Sequence, residues 1–395
     1  LILFGLFFLL QSLSSWHYLA YCAIIISLFW IWTAIFTREK QGWLRLGAVI
    51  VAVLIAMMFI LPFALPYLRT HRRLPGFDRP LSDIKNNAPS AGDYLRVPEE
   101  NLVYGSSLSP LKKGVIGLEF ILFPGIIAVL LALAGLLIRK REDETLTVFK
   151  KSSTRMSYFF LLLIIVGVLM SLGPEIGGVK NPLYLALYYL GIVRFIRFPS
   201  RFNVLVVLGI SVLAGYGVAK LAARIASWKK KWKMGRLAAA GLLALLILEM
   251  FTFNLPIYPM PVWGEVPEVY DWLSDQGDVR VIELPLSQLD EAGYINDWEI
   301  GYFAEDIRKH HEQVSTILYL SAYHWKETPN GYSGYYPSFY RRTFTEMQAF
   351  PSQRTLGLLR GLEVEYVLWH WDWVEPERRE EYRNRLHSIP GLSPV

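Results

Sequence analysis

Long apolar runs in the first two thirds of this chain most constrain what it can fold into. About 20 consecutive apolar residues are enough to cross the hydrocarbon core of a bilayer. The runs lie at residues 1–13, 16–37, 44–67, 119–138, 156–173, 203–223 and 237–255. They predict an all-helical membrane domain of about seven spans over residues 1–255. Because the first run starts at Leu1 with no polar residues before it, we expect that span to be truncated and the chain to continue a longer protein.

Basic residues recur in short loops on alternate sides of these runs. The three basic loops lie at residues 38–45, 139–155 and 229–236. Lys and Arg are enriched on the cytoplasmic side, so the outer loop 68–118 and the tail from 256 should lie outside. The net charge of +6 then reflects topology, with membrane lipids as the partners and no nucleic acid.

Three arginines, Arg194, Arg197 and Arg201, directly precede the apolar run at 203–223. A cation at this depth needs an anion or must extend to the lipid headgroups. If 183–198 is an interfacial helix, Arg194 and Arg197 share one face, and Pro199 lets Arg201 turn toward the same point. Three guanidinium groups would then meet at a lipid phosphate. The alternative is that each arginine reaches the headgroups separately or pairs with an acid such as Glu119 or Glu175.

Other charged side chains surround this candidate phosphate site. Glu119 opens the fourth run, and we expect it to contact the arginine group because an isolated charge there is unfavourable. Arg72 and Arg73 follow the third run and either assist with phosphate or anchor the helix at the interface. Surface solvation is sufficient to explain Asp83 and its neighbouring acids in the outer loop.

Residues 256–395 predict a small α/β domain outside the membrane. A proline-rich linker precedes helical patterns that alternate with two β-prone runs, VRVIELP and VEYVLWH. We expect these runs to be neighbouring strands. His370 to Trp373 end the second run, and ligands tend to bind at the carboxyl ends of strands in open α/β sheets.

An aromatic loop, His324–Tyr340, is the most unusual stretch of this domain. Its rings, including Tyr332, Tyr335 and Tyr336, suit sugar stacking or a seam between the domain and the membrane. We expect the loop to face the outer mouth of the membrane domain. His324 and Glu283 each end an apolar run and are either packing residues or polar groups of a site.

The motifs LEFILFPG, SLGP, RFIRFPSRFNVLVVLGISVLAGYG, NGYSGYYPSFY and LRGLEVEYVLWH together resemble the carboxyl-terminal part of bacterial multi-pass glycosyltransferases of the GT-C type. The resemblance covers nearly the whole chain. It implies a transferase in the cytoplasmic membrane that passes a sugar from a polyprenyl-phosphate-linked donor to an unknown acceptor on the outer face. Its catalytic carboxylate, and any divalent metal ion, would belong to the part before Leu1, so no catalytic residue is assigned here.

Two other classes of function remain open from the sequence. A transporter or flippase of lipid-linked glycans would need ionisable residues at mid-membrane, whereas Glu249, near an outer end, is the main one within the runs. A non-catalytic scaffold with an outer binding domain is the third hypothesis. No Cys or His spacing typical of a metal site occurs, and no cofactor is evident.

Overall fold

The computed structural model describes residues 1–36, 40–73, 79–108, 118–138, 153–228, 232–253, 265–286, 305–331 and 338–395. These residues are mostly helical. The chain divides into two compact units, unit 1 (Leu1–Leu255) and unit 2 (Pro256–Val395).

Unit 1 consists of helices joined by loops with short 3-10 turns. Its helices are α1 (Ile2–Ser14), α2 (Trp16–Phe36), α3 (Lys40–Arg73), α4 (Leu81–Asn86), α5 (Gly105–Leu108), α6 (Ile126–Leu137), α7 (Ser153–Ser171), α8 (Pro182–Tyr189), α9 (Asn203–Trp228) and α10 (Trp232–Met250). A short antiparallel hairpin, β1 (Glu175–Ile176) and β2 (Val179–Lys180), precedes α8.

Three helical segments of the described residues are long and apolar enough to cross a membrane, whereas the sequence predicted about seven spans. They are Trp16–Phe36, Gly42–Thr70 and Pro199–Ala226. The segments Ile2–Ser14, Ile126–Leu137 and Arg155–Ser171 are apolar but shorter. The 12 residues of α6 extend over roughly 18 Å, less than the thickness of a hydrocarbon core.

The predicted span 119–138 is helical only from Ile126, because the chain before it cannot continue a helix. Pro124 has no N–H to donate, and Gly125 adopts a φ of +91°. The buried carboxylate of Glu249 satisfies the new helix start: its Oε1 accepts the Ile127 N–H at 2.8 Å and its Oε2 the Ala128 N–H at 3.4 Å. Glu249 therefore caps α6, and its negative charge complements the positive end of the helix.

The condition for the shared arginine face, a helix over 183–198, is not met in the structure. The helix ends at Tyr189, because Gly191 has a φ of +81° that reverses the chain. Val193 and Ile196 then point into the core of unit 1, where they pack with Tyr184 and other apolar side chains. The arginines alternate with these anchors, so an irregular loop rather than a helix face positions them.

Unit 2 contains a parallel pair of strands, β3 (Val281–Leu284) and β4 (Tyr366–Trp369). Val281 pairs with Tyr366 and Leu284 with Trp369, so this is the pairing that the sequence predicts. The helices of the unit are α11 (Glu268–Ser274), α12 (Glu305–His324), α13 (Ser338–Met347), α14 (Gln353–Gly361) and α15 (Arg379–Ser388). Among the described residues this sheet has two strands, and apolar side chains on both sides of it form the core.

Candidate functional site

The first part of the candidate site is a buried carboxylate between two arginines. Asp83 of α4 is completely buried. Its Oδ1 accepts a hydrogen bond from Arg197 Nε at 3.3 Å, and its Oδ2 lies 3.8 Å from Arg79 Nη1. Asn87 Nδ2 also donates to Oδ1 at 2.8 Å. From the sequence, surface solvation is sufficient to explain Asp83, and Arg79 is not singled out. Arg79 precedes α4, so the chain before this helix brings it to Asp83.

The second part is the ion pair between Arg201 and Glu119 that the sequence predicts. Arg201 Nη2 donates to Glu119 Oε1 at 2.7 Å, and its Nε lies 3.2 Å from the same oxygen. His17 of α2 joins the pair, with its Nε2 3.2 Å from Arg201 Nη1. Both charged side chains are more than one third exposed, so water weakens the pair and allows it to exchange partners.

Arg194 has a different environment, at the carboxyl end of α8. Its Nε donates to the carbonyl of Tyr188 at 3.0 Å and its Nη2 to that of Tyr189 at 3.3 Å. The guanidinium also lies over the Tyr188 ring, 5.5 Å from its centroid. A cation is favourable at this position, because the last carbonyls of a helix carry partial negative charge.

Phe198 connects these parts. The guanidinium carbons of Arg197 and Arg201 lie 5.5 and 5.4 Å from the centroid of its ring. The main chain joins the remaining two arginines, since the Arg79 N–H donates to the carbonyl of Arg194 at 3.1 Å. We call the group of four arginines and two carboxylates the arginine cluster: Arg79, Arg194, Arg197, Arg201, Asp83 and Glu119. It carries an excess of two positive charges at the amino end of α9.

A second polar cluster lies in the core of unit 2, around Glu283 of β3. This buried carboxylate accepts a hydrogen bond from Tyr270 Oη at 2.6 Å and has His370 Nε2 2.7 Å from the same oxygen, Oε2. His324 Nε2 lies 4.0 Å from Oε1. The side chain of Asn330 hydrogen bonds to both the N–H and the carbonyl of Glu283. The sequence singled out His324 and Glu283 separately, and the parallel strand pair brings His370 to them.

Burial determines the protonation of two of these groups. His324 Nδ1 accepts the Lys326 N–H at 3.0 Å, so a neutral His324 carries its proton on Nε2, toward Glu283. Burial lowers the pKa of His324, with a smaller raising effect from Glu283. Burial and the Glu283 carboxylate both raise the pKa of the Tyr270 hydroxyl. Tyr270 and His324 are therefore neutral partners of a buried acid near pH 7.

Several residues singled out in the sequence lie outside the described part. Tyr332, Tyr335 and Tyr336 are among residues 332–337, and the side chains of Arg72 and Arg73 at the end of α3 are also outside it. The position of the aromatic loop relative to the membrane domain stays a prediction. Among the described residues, no three His, Cys, Asp or Glu side chains are grouped to hold a metal ion, so none is assigned to one.

The chain matches no protein-family model, no curated protein and no solved structure. Its function is therefore inferred from the geometry of the two clusters and from the apolar helices.

Proposed function

We propose that this protein is an integral membrane glycosyltransferase that uses a polyprenyl-phosphate-linked sugar, and that its arginine cluster binds the lipid phosphate. One observation carries the proposal: Arg197 and Arg201 lie against the same ring, Phe198, at the amino end of the candidate span Pro199–Ala226. A polyprenyl phosphate has the matching shape, with an anion at the interface and a long apolar tail beside the helices.

The partners of the arginines suit a phosphate site. Guanidinium groups bind phosphate oxygens with paired hydrogen bonds and keep their charge when they leave bulk water. Asp83 holds Arg197 in place from the buried side, whereas the exposed pair of Arg201 with Glu119 is able to open. In our proposal, Arg201 exchanges Glu119 for a phosphate oxygen. The excess positive charge and the amino end of α9 both favour that anion.

The proposal includes the topology that the sequence predicts. About seven spans would place the three basic loops in the cytoplasm of a bacterium and residues 256–395 outside its cytoplasmic membrane. The acceptor sugar or lipid would then meet the donor at the outer face. A reporter fused after Val395, or a cysteine label at Ser338, should report from outside, and a cytoplasmic signal would contradict this arrangement.

Substitution of single arginines tests the phosphate site. In the full-length protein in nanodiscs, we expect Arg201→Ala to weaken binding of a polyprenyl-phosphate analogue by at least about tenfold. The affinity of Arg201→Lys should lie between those of the wild-type protein and Arg201→Ala, because lysine keeps the charge but loses the paired hydrogen bonds. Arg354→Ala is the matched control, since this arginine of unit 2 is 79% exposed. Unchanged binding in a folded Arg201→Ala protein would rule out the site.

A sugar-transfer assay distinguishes a glycosyltransferase from a flippase or a non-catalytic scaffold. The full-length protein should move a labelled sugar from its polyprenyl phosphate to an acceptor in membrane extracts, and Arg201→Ala should reduce that rate. Phosphate binding without transfer, accompanied by movement of the labelled lipid between leaflets, would instead identify a flippase.

A further inference from the structure

Unit 2 contains a cavity of about 250 Å³ at the carboxyl ends of its parallel strands. Leu284 and Pro285 line it where β3 ends, and Trp369 lines it where β4 ends. Side chains that terminate neighbouring parallel strands converge at one edge of a sheet, which is where ligands bind in open α/β structures. The volume lies just below the roughly 300–1,000 Å³ of small-molecule sites, so the cavity suits a compact ligand.

The walls combine aromatic rings with uncharged hydrogen-bonding groups. Trp373, Phe344 and Phe350 provide ring surfaces, and the amides of Gln313 and Gln348 provide both donors and acceptors. A ligand that fits must therefore have apolar patches and many hydroxyl or amide groups within one small volume.

The charged residues at the rim are already compensated by their neighbours. Lys309 Nζ lies 3.6 Å from Glu375 Oε1. Arg378 Nε lies 3.9 Å from Glu381 Oε2, and its Nη2 donates to Tyr382 Oη at 3.1 Å. An anionic ligand would have to disrupt these contacts, whereas a neutral ligand can use the carboxylate and the guanidinium as hydrogen-bonding groups where they stand.

The buried Glu283 cluster fixes one wall of this cavity. The His370 ring stacks on Trp373, with centroids 3.8 Å apart and planes within 14°. Its Nε2 is held by Glu283, and its main-chain N–H donates to the carbonyl of Leu284 at 2.7 Å. Trp373 is thus positioned by a hydrogen-bonded chain that begins in the core of unit 2. A rigid aromatic wall loses little conformational entropy when a ligand packs on it.

We infer that this cavity binds a neutral sugar of one or two rings, with Trp373 as its stacking wall. The C–H faces of a sugar ring pack on aromatic surface, and its hydroxyl groups match the amides and the rim carboxylate. The site lies within unit 2 and uses none of the residues of the arginine cluster. The two proposed sites therefore share no residue, and the sugar would be a second, uncharged ligand of the protein.

Saturation-transfer NMR with a panel of sugars tests this inference. The full chain is placed in nanodiscs, because glycoside detergents would themselves occupy a sugar site. Neutral mono- and disaccharides are compared with uronic acids and sugar phosphates of the same size. We expect transfer to at least one neutral sugar, weaker transfer to its anionic counterparts, and at least tenfold weaker binding of that sugar to Trp373→Ala.

Two further variants keep the test decisive. Glu375→Gln alters a rim residue whose side chain is 66% exposed, and we expect it to weaken sugar binding severalfold without affecting folding. Arg354→Ala is the control, because its side chain is 79% exposed in the same unit and does not line the cavity. Arg201→Ala should bind the sugar normally.

Three results would overturn the inference. They are the absence of transfer to every neutral sugar, a preference for the anionic forms, and binding that is unchanged in both Trp373→Ala and Glu375→Gln. If Arg201→Ala loses polyprenyl-phosphate binding but still binds the sugar, both proposed sites are supported. Each binding assay therefore tests one hypothesis without the other.

Discussion

Unit 1 and unit 2 each bury a carboxylate, but they stabilise it in different ways. Asp83 in unit 1 and Glu283 in unit 2 are no more than 1% exposed. Two guanidinium groups, those of Arg79 and Arg197, face Asp83. Glu283 instead faces a tyrosine hydroxyl and two histidine rings. One acid is balanced by permanent charges and the other by a phenol hydroxyl and imidazole rings.

This difference agrees with the ligand that we propose for each region. A buried ion pair is costly to desolvate but rigid once formed, and arginine keeps its charge at every physiological pH. That suits a region proposed to hold a phosphate at a membrane surface. A network of hydrogen bonds to neutral groups positions side chains with little electrostatic field. That suits a cavity proposed to bind a neutral sugar.

The largest effect should come from removing the acid that balances the arginines. Asp83→Asn leaves Arg197, whose side chain is only 11% exposed, without its buried counter-charge. Breaking a buried ion pair from one side costs about 3–5 kcal/mol. We expect amide hydrogen exchange in α4 and in residues 193–198 to become roughly a hundredfold faster or more.

Lys85→Ala is the matched control for Asp83→Asn. Lys85 lies on the same helix and pairs with Glu175 at 2.8 Å, but both side chains are substantially exposed. Exposed pairs contribute little, so exchange should hardly change. Equal effects of the two substitutions would show that Asp83 does not carry the buried charge balance described above.

A smaller effect is expected for Glu283→Gln. The amide keeps one acceptor oxygen for Tyr270 but loses the charge-assisted hydrogen bond with His370, which is worth about 1.5–3 kcal/mol. Hydrogen exchange at β3 and β4 should accelerate correspondingly, while α4 of unit 1 keeps its protection. Glu327→Gln is the control, because its ion pair with Arg280 is exposed. Unaltered exchange in Glu283→Gln would mean that the network does not stabilise the strand pair.

The sequence predicted contacts that follow from local patterns or strong apolar runs. The placement of VRVIELP and VEYVLWH as neighbouring strands followed from their β propensity, and the contact of Arg201 with Glu119 from the cost of an isolated charge. The sequence did not reveal that α8 ends at Tyr189, because the apolar pattern continues past Gly191 into buried Val193 and Ile196. In the structure a loop after Gly191 buries those two side chains. An apolar pattern of period 3.6 is compatible with such a loop as well as with a helix.

Clusters assembled from distant parts of the chain were harder to predict. Glu283, His370 and His324 come from three separate elements, and only their pairing in space gives them a common role. The contacts of Asp83 also depend on the fold, since Arg79 lies before the start of α4 and Arg197 is 114 residues away. Glu249 was noticed as an unusual charge, whereas its role as a cap depends on the late start of α6 at Ile126.

The smallest effect, and the one that most sharpens the contrast between the units, is a dependence of unit 2 on pH. Burial lowers the pKa of His324 below its usual value of 6.5. Between the lowered pKa and 6.5 the unfolded chain binds a proton that the folded chain does not, so unfolding takes up a proton. The free energy of unfolding of unit 2 is therefore highest above pH 6.5, where His324 is neutral in both states, and it decreases as the pH falls below 6.5.

Hydrogen exchange at β3 and α4 measures this difference between the units. Exchange at β3, corrected for its intrinsic pH dependence, should accelerate from pH 7 to 5. Exchange at α4 should stay constant, since Arg79 and Arg197 do not titrate there. His324→Gln should flatten the slope at β3. A slope that persists in this variant would show that His324 is not its source, and equal slopes in both units would remove the contrast.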